Sequence, residues 1–159
     1  MATEAKLRQL ADKGCPVYYF YSSERYLVRQ AITAITRILT ADSDEDATVL
    51  DGAAPEIEQL IMAAGTISFF GTRRVVVLPE IDPAAYSDKD LEELNSTLSS
   101  LENAVVVLGS VFELERSKLK TGKRAQKLIA QCKALGYTEE LAKPKPFELK
   151  MMMIDRAKE

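Results

Sequence analysis

With 159 residues, 47% of them apolar and 28% charged, the chain has the size and balance of one globular domain, and it contains no run of 18 apolar residues to span a membrane. Its two cysteines, Cys15 and Cys132, make no disulfide framework, and the absence of histidine removes the commonest general base, the usual catalytic triads and most zinc sites. The net charge of −3 hides a split: residues 1–110 carry 9 basic and 17 acidic side chains and residues 111–159 carry 12 and 7, so an overall basic DNA-binding footprint is missing while the last third is positive.

Met1–Cys15 mixes charges throughout and lacks the apolar core of a secretion signal, so reduced thiols and a cytoplasmic location are expected. Ala5, Leu7, Leu10 and Ala11 have helical spacing and Gly14 supplies a stop, which predicts a short first helix. The aromatic run Pro16–Tyr21 predicts a buried strand. Ser23 is the expected cap of a helix to Leu39, with Leu27, Val28, Ala31, Ile32, Ile35, Ile38 and Leu39 as its apolar stripe. An acidic loop, Ala41–Asp46, precedes a second short strand over Ala47–Asp51, which Gly52 ends. Pro55 opens a helix that Gly65 closes, with Ile57, Leu60, Ile61 and Ala64 on its core side.

Arg73–Leu78, with four unbroken aliphatic residues, reads as a strand limited by Pro79. Ser87 or Asp88 caps a helix through Leu91, Leu94, Leu98 and Leu101. Ala104–Leu108 is a fourth strand, ended by Gly109. Arg116–Ala134 begins basic and continues as a helix, and Tyr137–Leu141 is a fifth, edge strand. Lys143-Pro144-Lys145-Pro146 breaks the chain before a final helix, Phe147–Lys158, so the domain is expected over 1–143 and a linker with the first helix of another domain over 144–159, as in the front piece of a longer protein. Strands apolar on both faces that alternate with helices imply an α/β fold of three layers around a mostly parallel five-stranded sheet.

Ligands of such a sheet bind beyond the carboxyl ends of its strands. The first strand-to-helix loop, Tyr21–Tyr26, has no glycine to turn the backbone around a phosphate and no lysine, and it presents Glu24. Nucleotide hydrolysis is therefore not expected, and no cofactor is. Glu80 and Asp82, after the third strand, have the chemistry to hold magnesium, but a solvated turn is the simpler reading without a phosphate loop. The acidic loop Asp42, Asp44, Glu45, Asp46 lacks the central glycine and closing glutamate of a calcium loop, so no metal is expected there either. Between Gly65 and Gly71 stand the adjacent Phe69 and Phe70, preceded by Ile67 and Ser68. The phenylalanines either plug the end of the sheet or anchor the chain in a partner's apolar pocket. Arg116, Lys118, Lys120, Lys123, Arg124 and Lys127 put six positive and no negative charges into twelve residues; a mobile, solvated surface is expected, with nucleic acid or an acidic subunit as the alternative contact.

Val17–Leu27, Val49–Gly52, Ser68–Val77 and Ala104–Leu108 together resemble the delta subunit of bacterial DNA polymerase III, the block Phe69-Phe70-Gly71-Thr72-Arg73-Arg74-Val75-Val76-Val77 being the most specific, and the likeness extends over nearly the whole chain. The resemblance implies a P-loop-NTPase-like (AAA+-like) first domain with a degenerate nucleotide site. It also implies a non-catalytic clamp-loader subunit that binds and helps open the sliding clamp, with other clamp-loader subunits as partners and DNA reached through the complex. Phe69 and Phe70, flanked by Ile67 and Ser68, stand where such subunits carry their clamp-binding pair. Gly65 stands where related clamp-binding peptides carry a glutamine, which leaves the apolar half of that contact. Two rivals belong to other classes: a small α/β enzyme working with Glu24, Asp51 and Glu80, and a DNA-binding module using residues 116–127.

Overall fold

The structure, a computed structural model, describes residues 3–41, 46–65 and 73–142. Five α-helices are described, α1 (Glu4–Asp12), α2 (Arg25–Thr40), α3 (Ile57–Gly65), α4 (Asp88–Ser99) and α5 (Gly122–Leu135), with one 3-10 turn at Pro83–Ala85. Strands β1 (Val17–Ser22), β2 (Thr48–Val49), β3 (Arg74–Leu78), β4 (Ala104–Val111) and β7 (Tyr137–Glu140) form one sheet, and β5 (Leu114–Glu115) pairs with β6 (Lys118–Leu119). The sheet order is β2-β3-β4-β1-β7, and every pairing within it is parallel.

Aliphatic and aromatic runs produce this sheet because a parallel strand with helices on both faces has no wet side. Successive residues alternate between two cores. Tyr18, Phe20, Val75, Val77, Val105 and Val107 point to α1 and α2, where they meet Leu7, Val28, Ala31 and Ile35. Val17, Tyr19, Val76, Leu78, Val106 and Leu108 point the other way, to Leu60 of α3, Leu94 and Leu98 of α4, and Leu128 and Cys132 of α5. The three-layer α/β architecture expected from the sequence is thus present. No described helix is long and apolar enough to cross a membrane.

Several boundaries differ from expectation. β4 runs on to Val111, so Gly109 lies inside the strand. A Cβ there would come within 2.5 Å of the Pro79 carbonyl oxygen, 2.6 Å of Ile32 Cδ1 and 2.7 Å of Val28 Cγ1. Gly109 therefore marks close approach of a helix and a turn to the sheet. The second strand shrinks to two residues, and α3 starts at Ile57, two residues beyond Pro55. The residue before α2 is Glu24, with no side-chain cap; Ser22 Oγ instead accepts the Glu24 N–H at 3.0 Å. α4 is capped by Ser87, whose hydroxyl accepts the Asp90 N–H.

The basic segment is not loop followed directly by helix. Its first part is the β5–β6 hairpin, in which Leu114 faces Leu119 and Glu115 faces Lys118. The two turn residues, Arg116 and Ser117, have φ of 53° and 68°, the left-handed geometry of a type I′ turn normally given to Asn-Gly. Ile61, placed on the core side of α3 by its spacing from Ile57, is instead 51% exposed. The core stripe of α3 follows Ile57 and Leu60, with Ala63 and Ala64 packed beside them. At 100° per residue, Ile61 falls about 90° from the centre of that stripe. Part of the acidic loop, the Phe69-Phe70 segment and the linker with the final helix lie outside the described residues, as does the expected domain boundary.

Two outcomes follow from this packing. Gly109→Ala forces a methyl group against backbone and is expected to lower unfolding free energy by about 2–3 kcal/mol in denaturant titration. Burial also raises the tyrosine and cysteine hydroxyl and thiol groups: Tyr86 and Cys132 are each pushed up to about 12, and Tyr18, Tyr19 and Tyr137 are raised as well. The unfolded chain releases these protons from about pH 9–10, whereas the folded chain holds them, so unfolding takes up no proton below that range and releases protons above it. Stability is accordingly expected to hold to about pH 9 and to fall as pH rises towards 12, read as a declining melting temperature.

Candidate functional site: the crevice at the carboxyl ends of the strands

The strand order reverses around β1. From β1 the chain crosses to β2 at the far edge, returns through β3 and β4, and then passes over β1 to β7. The carboxyl ends of β1 and β4 therefore flank the position where an open α/β sheet binds its ligand. Only Ser23 and Glu24 separate β1 from α2. A phosphate-cradling loop of the G-x-x-x-x-G-K-[ST] kind is far longer than that, because it has to wrap the phosphates with backbone N–H groups.

The groups around the crevice bind one another. Ser110 Oγ donates to the Ile81 carbonyl at 2.8 Å and lies 2.6 Å from Tyr19 Oη. A serine hydroxyl has one proton, so Tyr19 is the donor to Ser110 and the chain runs Tyr19 → Ser110 → Ile81. Burial is the main cause of the raised Tyr19 pKa, which keeps that proton in place. The Ile81 N–H donates to the Gly109 carbonyl, the Phe112 N–H to Ser22, and the Leu141 N–H to Tyr21. Ser22 Oγ donates to the Leu141 carbonyl at 2.6 Å. Above this layer Arg25 pairs with Glu80, Nε to Oε1 at 2.5 Å and Nη2 to Oε2 at 3.2 Å. Asp82, the other acid expected to suit magnesium, accepts the Ala84 N–H and caps its own turn. Among the described residues no three acidic or cysteine side chains converge to hold a metal.

Beside the crevice is a cleft of about 630 Å³. Tyr21, Leu114 and Ile129 give it apolar walls, and Glu24, Glu140 and Lys118 supply its charges. Two carboxylates and one ammonium do not make an anion site. Of the carboxylates an enzyme would use, Glu24, Asp51 and Glu80, Glu80 is held by Arg25 and Asp51 is exposed.

The basic residues are dispersed. Lys118, Lys120, Lys123 and Lys127 are exposed on β6, its exit and α5. Arg124 is a structural tie, with Nε 3.0 Å from Asp88 Oδ1 at the start of α4. Glu113 and Glu115 share the hairpin with Lys118 and Lys120, and Glu24 and Glu140 line the adjoining cleft. Around the hairpin the positive charge is therefore mixed with negative, while Lys123 and Lys127 stand on α5. Phe69, Phe70, Ile67 and Ser68 fall outside the described residues, but their attachment points are fixed. Gly65 ends α3, and Arg73 at the entry to β3 donates from Nη1 to the Gly14 carbonyl at 2.9 Å. Sequence reasoning missed the Ser110 relay, whose signal was a serine following glycine within an otherwise aliphatic strand.

The parallel sheet in this order, with its short, glycine-free first loop, has the AAA+-like fold that two solved structures share. The chain superposes with a TM-score of 0.68 on the Bacillus subtilis DNA clamp loader delta protein, at 24% identity over 98% of this chain and 47% of that one. It also superposes with a TM-score of 0.61 on a DNA polymerase III gamma subunit-related protein of Thermotoga maritima, at 15% identity over 92% of this chain and 48% of the other. In sequence it is 27% identical over 137 residues to DNA polymerase III subunit delta of Bacillus subtilis (strain 168), which covers 78% of this chain and 39% of that protein. The family model for DNA polymerase III, delta subunit, matches residues 18–135. The chain belongs to the DNA polymerase III delta subunit family, and it spans about two fifths of the length of the curated relative it matches.

Removing the relay strands two buried oxygens at once. Ser110→Ala is expected to cost about 2–3 kcal/mol of stability in denaturant titration, whereas Glu80→Gln at the exposed Arg25 pair is expected to cost under about 1 kcal/mol.

Proposed function

We propose that this domain is the clamp-binding, ATP-inert part of a clamp-loader subunit: a non-catalytic protein of DNA replication that binds the sliding clamp and helps to open it. The observation that carries the ATP-inert half is the two-residue β1–α2 connection, too short to wrap a phosphate with backbone N–H groups. Membership of the delta family supports the clamp-binding half. In this reading Phe69 and Phe70 enter an apolar pocket on the clamp, with Ile67 and Ser68 shaping the approach. Burying two aromatic side chains contributes about 3–6 kcal/mol before ordering costs. Where that contact fits an opened ring better than a closed one, the difference shifts the ring equilibrium. ATP acts through other clamp-loader subunits, DNA is reached through the assembly, and the work is done in the cytoplasm. The mixed charge around Lys118 and Lys120 argues against the rival DNA-binding module.

A calorimetric titration of the chain against purified sliding clamp tests the reading. Binding is expected, with the same dissociation constant in the presence and absence of Mg-ATP. Phe69→Ala combined with Phe70→Ala is expected to weaken it at least about 100-fold with the melting temperature retained. Unchanged affinity in that variant removes the site assignment, and affinity that depends on ATP removes the ATP-inert assignment.

A further inference from the structure

The carboxyl end of β1 carries an aromatic ring between two mounted glutamates. Tyr21 and Glu140 stand opposite one another in the β1–β7 pairing, so their side chains share one face of the sheet. Glu24 stands at the entry to α2, and its side chain does not cap that helix. Ser22 fixes the backbone at both places. Its buried hydroxyl accepts the Glu24 N–H at 3.0 Å and donates at 2.6 Å to the carbonyl of Leu141, the residue after Glu140. The ring of Tyr21 is held in turn by edge contacts with Tyr19 and Phe112.

These groups border the cleft of about 630 Å³, whose other walls include Leu114 and Lys118 of the β5–β6 hairpin and Ile129 of α5. Neither glutamate carboxylate pairs with a cation among the described residues. The one ammonium in the wall, Lys118, stands opposite Glu115 in the hairpin. Burial, and after it the charge of Glu140, raises the Tyr21 pKa and keeps the phenol neutral beside the carboxylate. Leu114 is 57% exposed, so apolar surface is open next to the charges.

An aromatic ring with two fixed carboxylates and aliphatic walls is complementary to an organic cation. A metal ion is served less well, because among the described residues no third acidic or cysteine side chain converges there. A guanidinium suits the set best: it is planar, weakly hydrated, stacks on aromatic rings and gives a carboxylate two N–H bonds at once. We infer that this cleft is a docking site for an arginine side chain of a partner protein, with Glu24 and Glu140 binding the guanidinium and Tyr21 lying against it. Leu114 and Ile129 then receive apolar residues next to that arginine in the partner's chain. The clamp-binding reading is independent of this site, since it stands or falls by Phe69 and Phe70.

The test is a nitrogen-15 NMR titration of the chain with acetyl-Leu-Arg-Leu-amide, set against the same peptide with citrulline, which keeps the shape of arginine and lacks its charge. Saturable shifts at the Tyr21, Glu24 and Glu140 amides are expected with the arginine peptide, and affinity at least about fivefold lower with the citrulline peptide. Glu24→Gln with Glu140→Gln is expected to weaken the arginine peptide by about the same factor, with the melting temperature retained. Equal affinity for the two peptides, no saturable shift, or shifts confined to the acidic first turns of α4 each overturn the inference. The comparison of peptides uses the unaltered chain, so it decides the matter even where the double variant melts early.

Discussion

The hydrogen bond from Tyr19 to Ser110, passed on to the Ile81 carbonyl, is the constraint on which the crevice depends. A parallel sheet covered on both faces ends in polar backbone, and where strand order reverses that backbone surrounds a gap. In a ligand-binding domain of this topology the gap is filled from outside. Here the side chains of β1 and β4 bond one another beside it, and the turn after β3 is drawn onto Gly109 by the Ile81 N–H. The closeness this requires is visible at Gly109, where no Cβ fits. Sequence, packing and lack of a phosphate cradle are thus one fact seen at three scales.

The Arg25–Glu80 pair contributes to shape more than to energy. Its side chains are 58% and 42% exposed, and exposed pairs of this kind contribute less than about 1 kcal/mol. It joins the start of α2 to the turn after β3, with its cation occupied by a carboxylate. The interior relay ties β1, β4 and that same turn together beneath it. The cleft alongside carries two carboxylates, Glu24 and Glu140, so its charge also disfavours phosphate.

What could be read from the sequence follows from how local the signal was. Val17–Tyr21, Val75–Leu78 and Ala104–Leu108 are apolar on both faces, and only a parallel sheet between helix layers gives such runs a home, so the layer order was legible. The β5–β6 hairpin was not, because its turn is Arg116-Ser117 rather than Asn-Gly; the mirrored Leu-Glu and Lys-Leu around that turn were the available signal. Gly109 looked like a terminator because close approach of α2 and Pro79 is a tertiary fact. Ile61 looked like core because its spacing from Ile57 is helical, yet the stripe that docks follows Leu60 and Ala64. The relay was hidden for the same reason: 91 residues separate Tyr19 from Ser110, and only the pairing of β1 with β4 brings them together. The phosphate loop, by contrast, is a short local string, so its absence was plain.

The two ends of the sheet are built independently. In a parallel sheet all carboxyl ends lie on one edge and all amino ends on the other. The crevice with its Tyr19–Ser110–Ile81 relay occupies the first. Segment 66–72 enters β3 at the second, across the five residues of that strand, a length of about 16 Å. Both of its anchorages are firm: α3 is packed through Leu60, and Arg73 is tied to the Gly14 carbonyl at the end of α1. Gly14 has φ of 78°, a conformation that favours glycine, so the carbonyl that receives Arg73 is itself set by the chain's first turn. Loss of a nucleotide cradle at one edge therefore does not loosen the other. A domain of this fold keeps a fixed entry to β3 without a phosphate cradle, because the strands between the two edges are held by aliphatic packing that neither edge supplies.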